Sequence, residues 1–292
     1  MDILIKCALY EDELLARKRI NENNVEIQLL HEFYEETPSL EEYLDTLLGT
    51  GLNIKIIHTP LVFGDDVEID NFWEDKNRDV FLKTCKLANM LGRKLDKNIL
   101  VVVHTSMDFK QDINNVEKIT LIDKILLEAL NKYSNISVAI ENIIPVVVNH
   151  KGFFGRNGFL NDNCLYIDYF INKYGFGDRI GTVLDICHAL TTIRLMEYCK
   201  IPLSLEEFFD WNKKYIKLIH LANIGDNGYG KGNHGTGFIE GKDIDLLSDV
   251  LDLYCKYEYN CQVTIEVYEE DYTNPINYIR TKENVLEILR KR

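Results

Sequence analysis

Ile99–Val103 reads ILVVV and ends in His104. Five apolar residues in a row, with nothing polar to mark a solvated side, suit a parallel strand covered on both faces. A histidine at the carboxyl end of such a strand stands where parallel α/β barrels keep their chemistry. Working outward in both directions, seven more short runs of the same kind recur. They are Ile3–Leu9 (ILIKCAL), Val25–Leu30 (VEIQLL), Ile54–Ile57 (IKII), Ile136–Ile140 (ISVAI), Ile180–Leu184 (IGTVL), Ile216–Ile219 (IKLI) and Gln262–Val267 (QVTIEV).

Amphipathic stretches lie between the runs. Helices are expected over Asp12–Asn21, Ser39–Leu48, Asn77–Leu91, Val116–Tyr133, Asn161–Tyr174, Leu205–Asn212, Lys242–Tyr257 and Thr281–Arg290. Ser39 with Glu42 has the spacing of a capping box. Strand–helix alternation through eight strands predicts a (β/α)8 TIM barrel, eight parallel strands with outer helices. An open doubly wound sheet is the runner-up, but no GxGxxG or GxxxxGK[ST] follows the first run. No Pro- or Ser-rich linker divides the chain, so residues 1–292 are expected to form one domain. Its longer inserts are Pro60–Phe72, Ile143–Gly158 and Ala222–Gly241.

The bulk properties exclude several functions. MDILIKCALY is too short an apolar run for a signal peptide, and no run reaches a membrane span, which makes the cytoplasm the expected location. Seven scattered cysteines without a CxxC pair indicate reduced core residues rather than a disulfide framework or zinc knuckle. A formal net charge of −14 disfavours nucleic acid as a partner.

The polar residues fall in a pattern. IKII ends in His58, ILVVV in His104, ISVAI in Glu141, IGTVL in Asp185 and IKLI in His220, while QVTIEV carries Glu266 near its end. His188 follows Asp185 by three residues. Six consecutive strands thus bring an imidazole or carboxylate to one rim. Buried neighbouring carboxylates cost several kcal/mol unless compensated, and a divalent cation removes that cost. Mixed His/Asp/Glu ligation suits Zn²⁺, Mn²⁺ or Co²⁺ better than Ca²⁺ or Mg²⁺.

The ordered motifs HTP (His58), VHTS (His104), IEN (Glu141), LDICHA (Asp185, His188), HLAN (His220), NHGTG (His234) and TIEVYE (Glu266) resemble the xylose-isomerase-like barrel superfamily. It includes sugar isomerases and epimerases and the endonuclease IV type of apurinic-site nuclease. The likeness spans Ile54 to Tyr268, and its specificity lies in the order of the motifs. For an epimerase it implies one metal on Glu141, Asp185, His220 and Glu266. Glu141 and Glu266 would then act as acid and base, with His188 orienting the substrate. For a nuclease it implies a further metal on His58, His104 and Glu141, and a third held by His188 and His234. The third site also uses an Asp two positions before the last His. That position is Gly232 here, with Asp226 the available substitute, and Leu61 stands where the nuclease places a DNA-wedging aromatic. These departures and the acidic charge favour a small sugar or sugar phosphate over DNA. A homo-oligomer is left open.

Other segments have weaker functional readings. Gly225–Gly237 (GDNGYGKGNHGTG) offers six glycines and Lys231, as a substrate lid, a phosphate cradle or a surface loop. Ile143–Gly158 carries His150, Lys151 and Arg156, to cover substrate or to pack Phe153 and Phe154. Trp73 could wall a sugar face or sit in the core. His31 is expected to be structural, and the Glu35–Glu36 and Glu269–Asp271 clusters solvated.

Overall fold

The computed structural model describes the chain except residues 35–37, 61, 64–66, 69–71, 106–108, 145, 150–151, 156–160 and 226–233. Eight parallel strands close into a barrel. They are β1 (Asp2–Ala8), β2 (Asn24–Gln28), β3 (Asn53–His58), β4 (Ile99–His104), β5 (Ile136–Glu141), β6 (Ile180–Asp185), β7 (Ile216–Leu221) and β8 (Gln262–Ile265). Each strand pairs with its successor in the chain, and β8 pairs with β1. The barrel expected from the alternating runs is the one observed.

Two apolar layers hold the fold. Leu4, Ile56, Leu100, Val102, Ala139, Val183 and Leu218 form a small buried cluster separate from the main core. They come from alternate positions of six barrel strands, as a packed barrel interior requires. The larger cluster takes the opposite strand faces, such as Ile57, Val101, Ile140 and Leu184, together with the helices. Side chains alternate faces along a strand. The residues two beyond the inner cluster are therefore Lys6, His58, His104, Glu141, Asp185 and His220. The inner apolar layer is the floor on which a ring of polar groups stands.

The helices that follow or flank the strands are α1 (Glu11–Arg19), α2 (Leu40–Gly49), α3 (Asp75–Leu95), α4 (Val116–Lys132), α5 (Asp162–Tyr174), α6 (Ile186–Tyr198), α7 (Leu205–Asn212), α8 (Lys242–Lys256) and α9 (Ile276–Arg290). The Ser39/Glu42 capping box is present at α2. Helix α6 was not anticipated. Its N-cap is Asp185, the last residue of β6, so strand and helix abut without a linker to separate them in sequence. The inserts after β3, β5 and β7 carry short antiparallel pairs, Val62–Phe63 with Val67–Glu68, Val146–Asn149 with Gly152–Gly155, and Asn223–Ile224 with His234–Thr236.

Cys7, Cys85, Cys164 and Cys187 are buried and free, in keeping with the core role expected of most cysteines, whereas Cys199 and Cys255 are exposed. Burial pushes the Cys7 and Cys164 thiols up to about 12. No described helix is long and apolar enough to cross a membrane.

Candidate metal centre

The barrel brings His58, His104, Glu141, Asp185, His188, His220 and Glu266 together. Glu141, at the end of β5, is the hub. Its Oε2 lies 3.2 Å from His58 Nε2, 3.3 Å from His104 Nε2 and 3.2 Å from His220 Nδ1. Its Oε1 lies 3.5 Å from His188 Nδ1. His220 Nδ1 is also 3.0 Å from Glu266 Oε2 and 3.8 Å from Asp185 Oδ2. Glu141 keeps 2% of its side-chain surface and His58 and His220 none, whereas Glu266 keeps 23%. Glu266 is thus the carboxylate most open to an incoming molecule.

Strand register explains the convergence. His104 pairs directly with Glu141, and Asp185 with His220, across neighbouring strands. Asp185 also starts α6, its Oδ1 accepting from the His188 backbone N–H at 2.6 Å. Asn142, the last residue of the IEN motif, ties the two strand ends together. It donates to the Asp185 carbonyl at 3.1 Å and accepts from the Asp185 N–H at 2.7 Å. Its own carbonyl receives His188 Nδ1–H at 2.8 Å.

Protonation follows from these partners. His58 Nδ1 lies 2.8 Å from the Thr59 carbonyl, which can only accept, so Nδ1 carries the proton. His58 Nε2 then directs a lone pair at the Glu141 carboxylate. Burial pulls His58 and His188 down to about 4, despite the nearby Glu141. Burial would also lower His220, but Glu26, Glu141 and Glu266 outweigh it and raise this imidazole well above its ordinary value. Burial acts to raise the Glu141 carboxyl, yet His220 and His104 hold it well below the usual range. Glu266 is held low in the same way by Lys6 and His220.

These donors fit a divalent cation. His220 Nδ1 and Glu266 Oε2 are buried and make no hydrogen bond, although they lie 3.0 Å apart. A lone pair facing a carboxylate at His58 is repulsive until a cation lies between. Ligands held ~2.0–2.1 Å from a tetrahedral ion stand about 3.3 Å from each other, which the separations around Glu141 reproduce. Three groups could each hold an ion among the described residues: His58–His104–Glu141, Glu141–Asp185–His188 and Asp185–His220–Glu266.

Two participants were missed in the sequence. Glu26, in the middle of β2, is fully buried and its Oε2 lies 3.1 Å from His220 Nε2. Lys6, in β1, places Nζ 2.7 Å from Glu266 Oε1 and 3.6 Å from Glu26 Oε1. Each is the one charge inside a mostly apolar run. The signal that could have found Lys6 is parity, because Lys6 lies two residues beyond the inward Leu4.

The remaining candidates fall elsewhere. Trp73 is buried beside Phe72, with the Lys118 ammonium 5.5 Å above its ring. That is the core role, and Trp73 does not line the cavity beside Glu266. Glu269, expected to be solvated, is instead buried and accepts the Asn277 and Tyr278 backbone N–H groups near the start of α9. Leu61, His150, Lys151, Arg156, Asp226, Lys231 and Gly232 lie outside the described residues, as do Glu35 and Glu36. For His31, Phe153, Phe154 and His234 the backbone alone is described. The His234 strand is docked at the rim, since the Gly235 carbonyl accepts from the Tyr268 N–H at 2.6 Å. Gly235 has φ +79°, and a Cβ there would come within 3.3 Å of the Glu266 carbonyl, so this approach favours glycine.

A cavity of about 620 Å³ opens beside Glu266, over the ends of β1 and β2. Lys6 and Glu266 lie at its polar end, Leu29, Leu30 and Val267 on its walls, and Tyr10, Tyr268 and Tyr272 around it.

No family model matches the sequence, and no curated protein matches it. Solved structures do. A D-tagatose 3-epimerase-like protein aligns at TM-score 0.60 and 20% identity, over 100% of this chain and 98% of that one. A xylose isomerase domain protein from Planctomyces limnophilus aligns at TM-score 0.63 and 13% identity, over 99% and 96%. The fold shared with these structures is the (β/α)8 barrel. An AP endonuclease, family 2, from Brucella melitensis aligns at TM-score 0.57 and 11% identity, over 100% and 99%. An epimerase-like protein and an AP endonuclease, the two kinds that the ordered motifs resemble, are thus both among the neighbours. At these identities the likeness concerns the fold, and the chemistry rests on the residues above.

Proposed function

We propose that the chain is a metal-dependent isomerase or epimerase of a small sugar or sugar phosphate. The carrying observation is that Glu141 and Glu266, from strands on different sides of β6 and β7, converge on one atom, His220 Nδ1, at 3.2 and 3.0 Å. Glu141, Asp185, His220 and Glu266 would hold the ion, Zn²⁺ or Mn²⁺, with His58 and His104 available for a second. When bound, such an ion polarises a substrate carbonyl and the neighbouring hydroxyl.

The protein residues supply the proton transfers. Both glutamates are held in their ionised form, so either can act as a base toward a C–H made acidic by the adjacent carbonyl. One takes that proton, leaving an enediolate. The other, protonated by solvent water, delivers its proton to the neighbouring carbon or to the opposite face of the same carbon, and the first releases its proton to solvent. His188 donates Nδ1–H to the Asn142 carbonyl, so Nε2 is the ring nitrogen that would accept from a substrate hydroxyl. The cavity beside Glu266 would hold the rest of the sugar, its tyrosines lying against ring faces as aromatic groups do against amphipathic surfaces. Lys231 and His234, on the Gly-rich insert, remain proposed contributors to phosphate and metal binding.

The test is solvent-deuterium incorporation at the carbon beside the carbonyl, followed by NMR in D2O over a panel of ketoses, aldoses and their phosphates. Exchange should vanish after EDTA treatment and return with Mn²⁺ or Zn²⁺. Turnover undiminished by excess EDTA refutes the reading. The His58–His104–Glu141 group gives a second reading some support, a phosphodiesterase acting on abasic DNA. It predicts two or three ions per chain, steeply salt-dependent DNA binding and nicking of an abasic duplex.

A further inference from the structure

Glu26 belongs to none of the three groups able to hold an ion, yet it is buried completely beside one of them. A buried carboxylate needs compensation, and the two nearest cations or donors are specific. Its Oε2 is 3.1 Å from His220 Nε2, and its Oε1 is 3.6 Å from Lys6 Nζ. Lys6 and Glu26 are direct partners in the β1–β2 register. On the other side of β1 lies β8, whose following residue is Glu266, and Lys6 Nζ reaches its Oε1 at 2.7 Å. Four groups on neighbouring or facing strands thus form one chain: Glu266, Lys6, Glu26, His220.

The carboxylate of Glu26 can only accept, so His220 Nε2 carries the proton and Nδ1 is the nitrogen turned to Glu141, Asp185 and Glu266. We propose that Glu26 is the positioning residue that fixes His220 for a divalent cation through Nδ1, with Lys6 the counter-charge shared by Glu26 and Glu266. A carboxylate behind a ligating imidazole fixes its tautomer and strengthens it as a donor. Lys6 acts in the opposite sense, since its ammonium ties up one oxygen of Glu266 and repels an incoming ion.

The inference rests on the cluster's binding a divalent ion and not on the sugar chemistry. Zn²⁺ affinity of chelator-stripped full-length protein, measured by competition with a chromophoric chelator, tests it, with the Co²⁺ visible spectrum reporting ligand geometry. Glu26→Gln should weaken Zn²⁺ binding and Glu26→Leu should weaken it further, by roughly 10- to 100-fold, with an altered Co²⁺ spectrum. Lys6→Met should strengthen binding. Opposite signs at the two positions are what a merely structural role would not give, because loss of folding would weaken binding in both. If Glu26→Leu does not fold, Glu26→Gln with Lys6→Met still decides. Wild-type protein that binds no Zn²⁺ overturns the cation reading itself. Wild-type protein that binds while Glu26→Gln stays within twofold, with an unchanged Co²⁺ spectrum, overturns the role of Glu26 alone.

Discussion

Metal loading should release about one proton, and that proton should come from His220. Its Nε2 faces Glu26 at 3.1 Å, while Nδ1 faces Glu141 and Glu266 at 3.2 and 3.0 Å. These carboxylates raise the imidazole well above 6.5 against the effect of burial, so the metal-free protein holds it as an imidazolium. A cation at Nδ1 must displace that proton. His58 and His188 have none to give near neutrality, because they are already neutral, with values of about 4. Glu141 and Glu266 lie well below 4.5. A single released proton makes apparent affinity rise about tenfold, or about 1.4 kcal/mol, for each pH unit below the His220 value. The assay is calorimetric titration of chelator-stripped protein at pH 7.5 in buffers of different ionisation enthalpy, whose slope is the number of protons exchanged. Mn²⁺ is the ion of choice, since its bound water is a weaker acid than that of Zn²⁺ and adds no proton of its own. A slope near zero, or one that His220→Asn leaves unchanged while Mn²⁺ still binds, would refute the reasoning.

Other outcomes follow from the same geometry. Glu141→Gln removes the hub carboxylate and one of the two proposed proton carriers, and should lower deuterium exchange by roughly 10²-fold or more, with fewer ions bound by elemental analysis. Acid should destabilise the metal-free protein through His58. Its folded value of about 4 lies below the ordinary 6.5, so its contribution is whole above pH 6.5 and is lost as pH falls through about 4. Between pH 7 and pH 5 that loss is about 2 kcal/mol, read as the difference in urea-midpoint pH dependence between wild type and His58→Asn; equal dependence would count against it. Gly181→Ala should cost about 1–3 kcal/mol by thermal or urea unfolding. A Cβ there overlaps the Tyr215 carbonyl and the Lys217 side chain, in the strand that delivers Asp185.

Much of this site could be read from the chain alone, and the exceptions share a cause. His58, His104, Glu141, Asp185 and His220 each end an apolar run, so a polar residue after hydrophobics marks both the strand end and the rim. Lys6 and Glu26 interrupt their runs, and a lone charge in mid-strand ordinarily reads as the solvated face of a half-exposed strand. Only closure of the barrel gives such positions an inside. Once β1 pairs with both β2 and β8, the face that carries Leu4 and Lys6 has nowhere to go but the lumen. Helix α6 was hidden for the converse reason, since Asp185 ends one element and caps the next through a side-chain bond to the His188 N–H.

The charges of the assembled cluster bound the number of ions it can hold. Glu26, Glu141, Asp185 and Glu266 bring four formal negative charges into one buried region, and Lys6 returns one positive charge. The imidazolium of His220 returns a second while no metal is bound, which leaves an excess equal to the charge of one divalent ion. Binding that ion expels the proton, so the excess is never fully cancelled and a single ion leaves the centre with one negative charge. A second ion, on His58, His104 and Glu141, would turn the sign to one positive charge without adding a carboxylate. Low dielectric makes either residue of charge tolerable and a larger one costly. One or two ions therefore fit the described donors, and a third needs anionic ligands beyond them. A sugar phosphate would supply such charge to the two-ion form, whereas a neutral sugar would leave the one-ion form as it is.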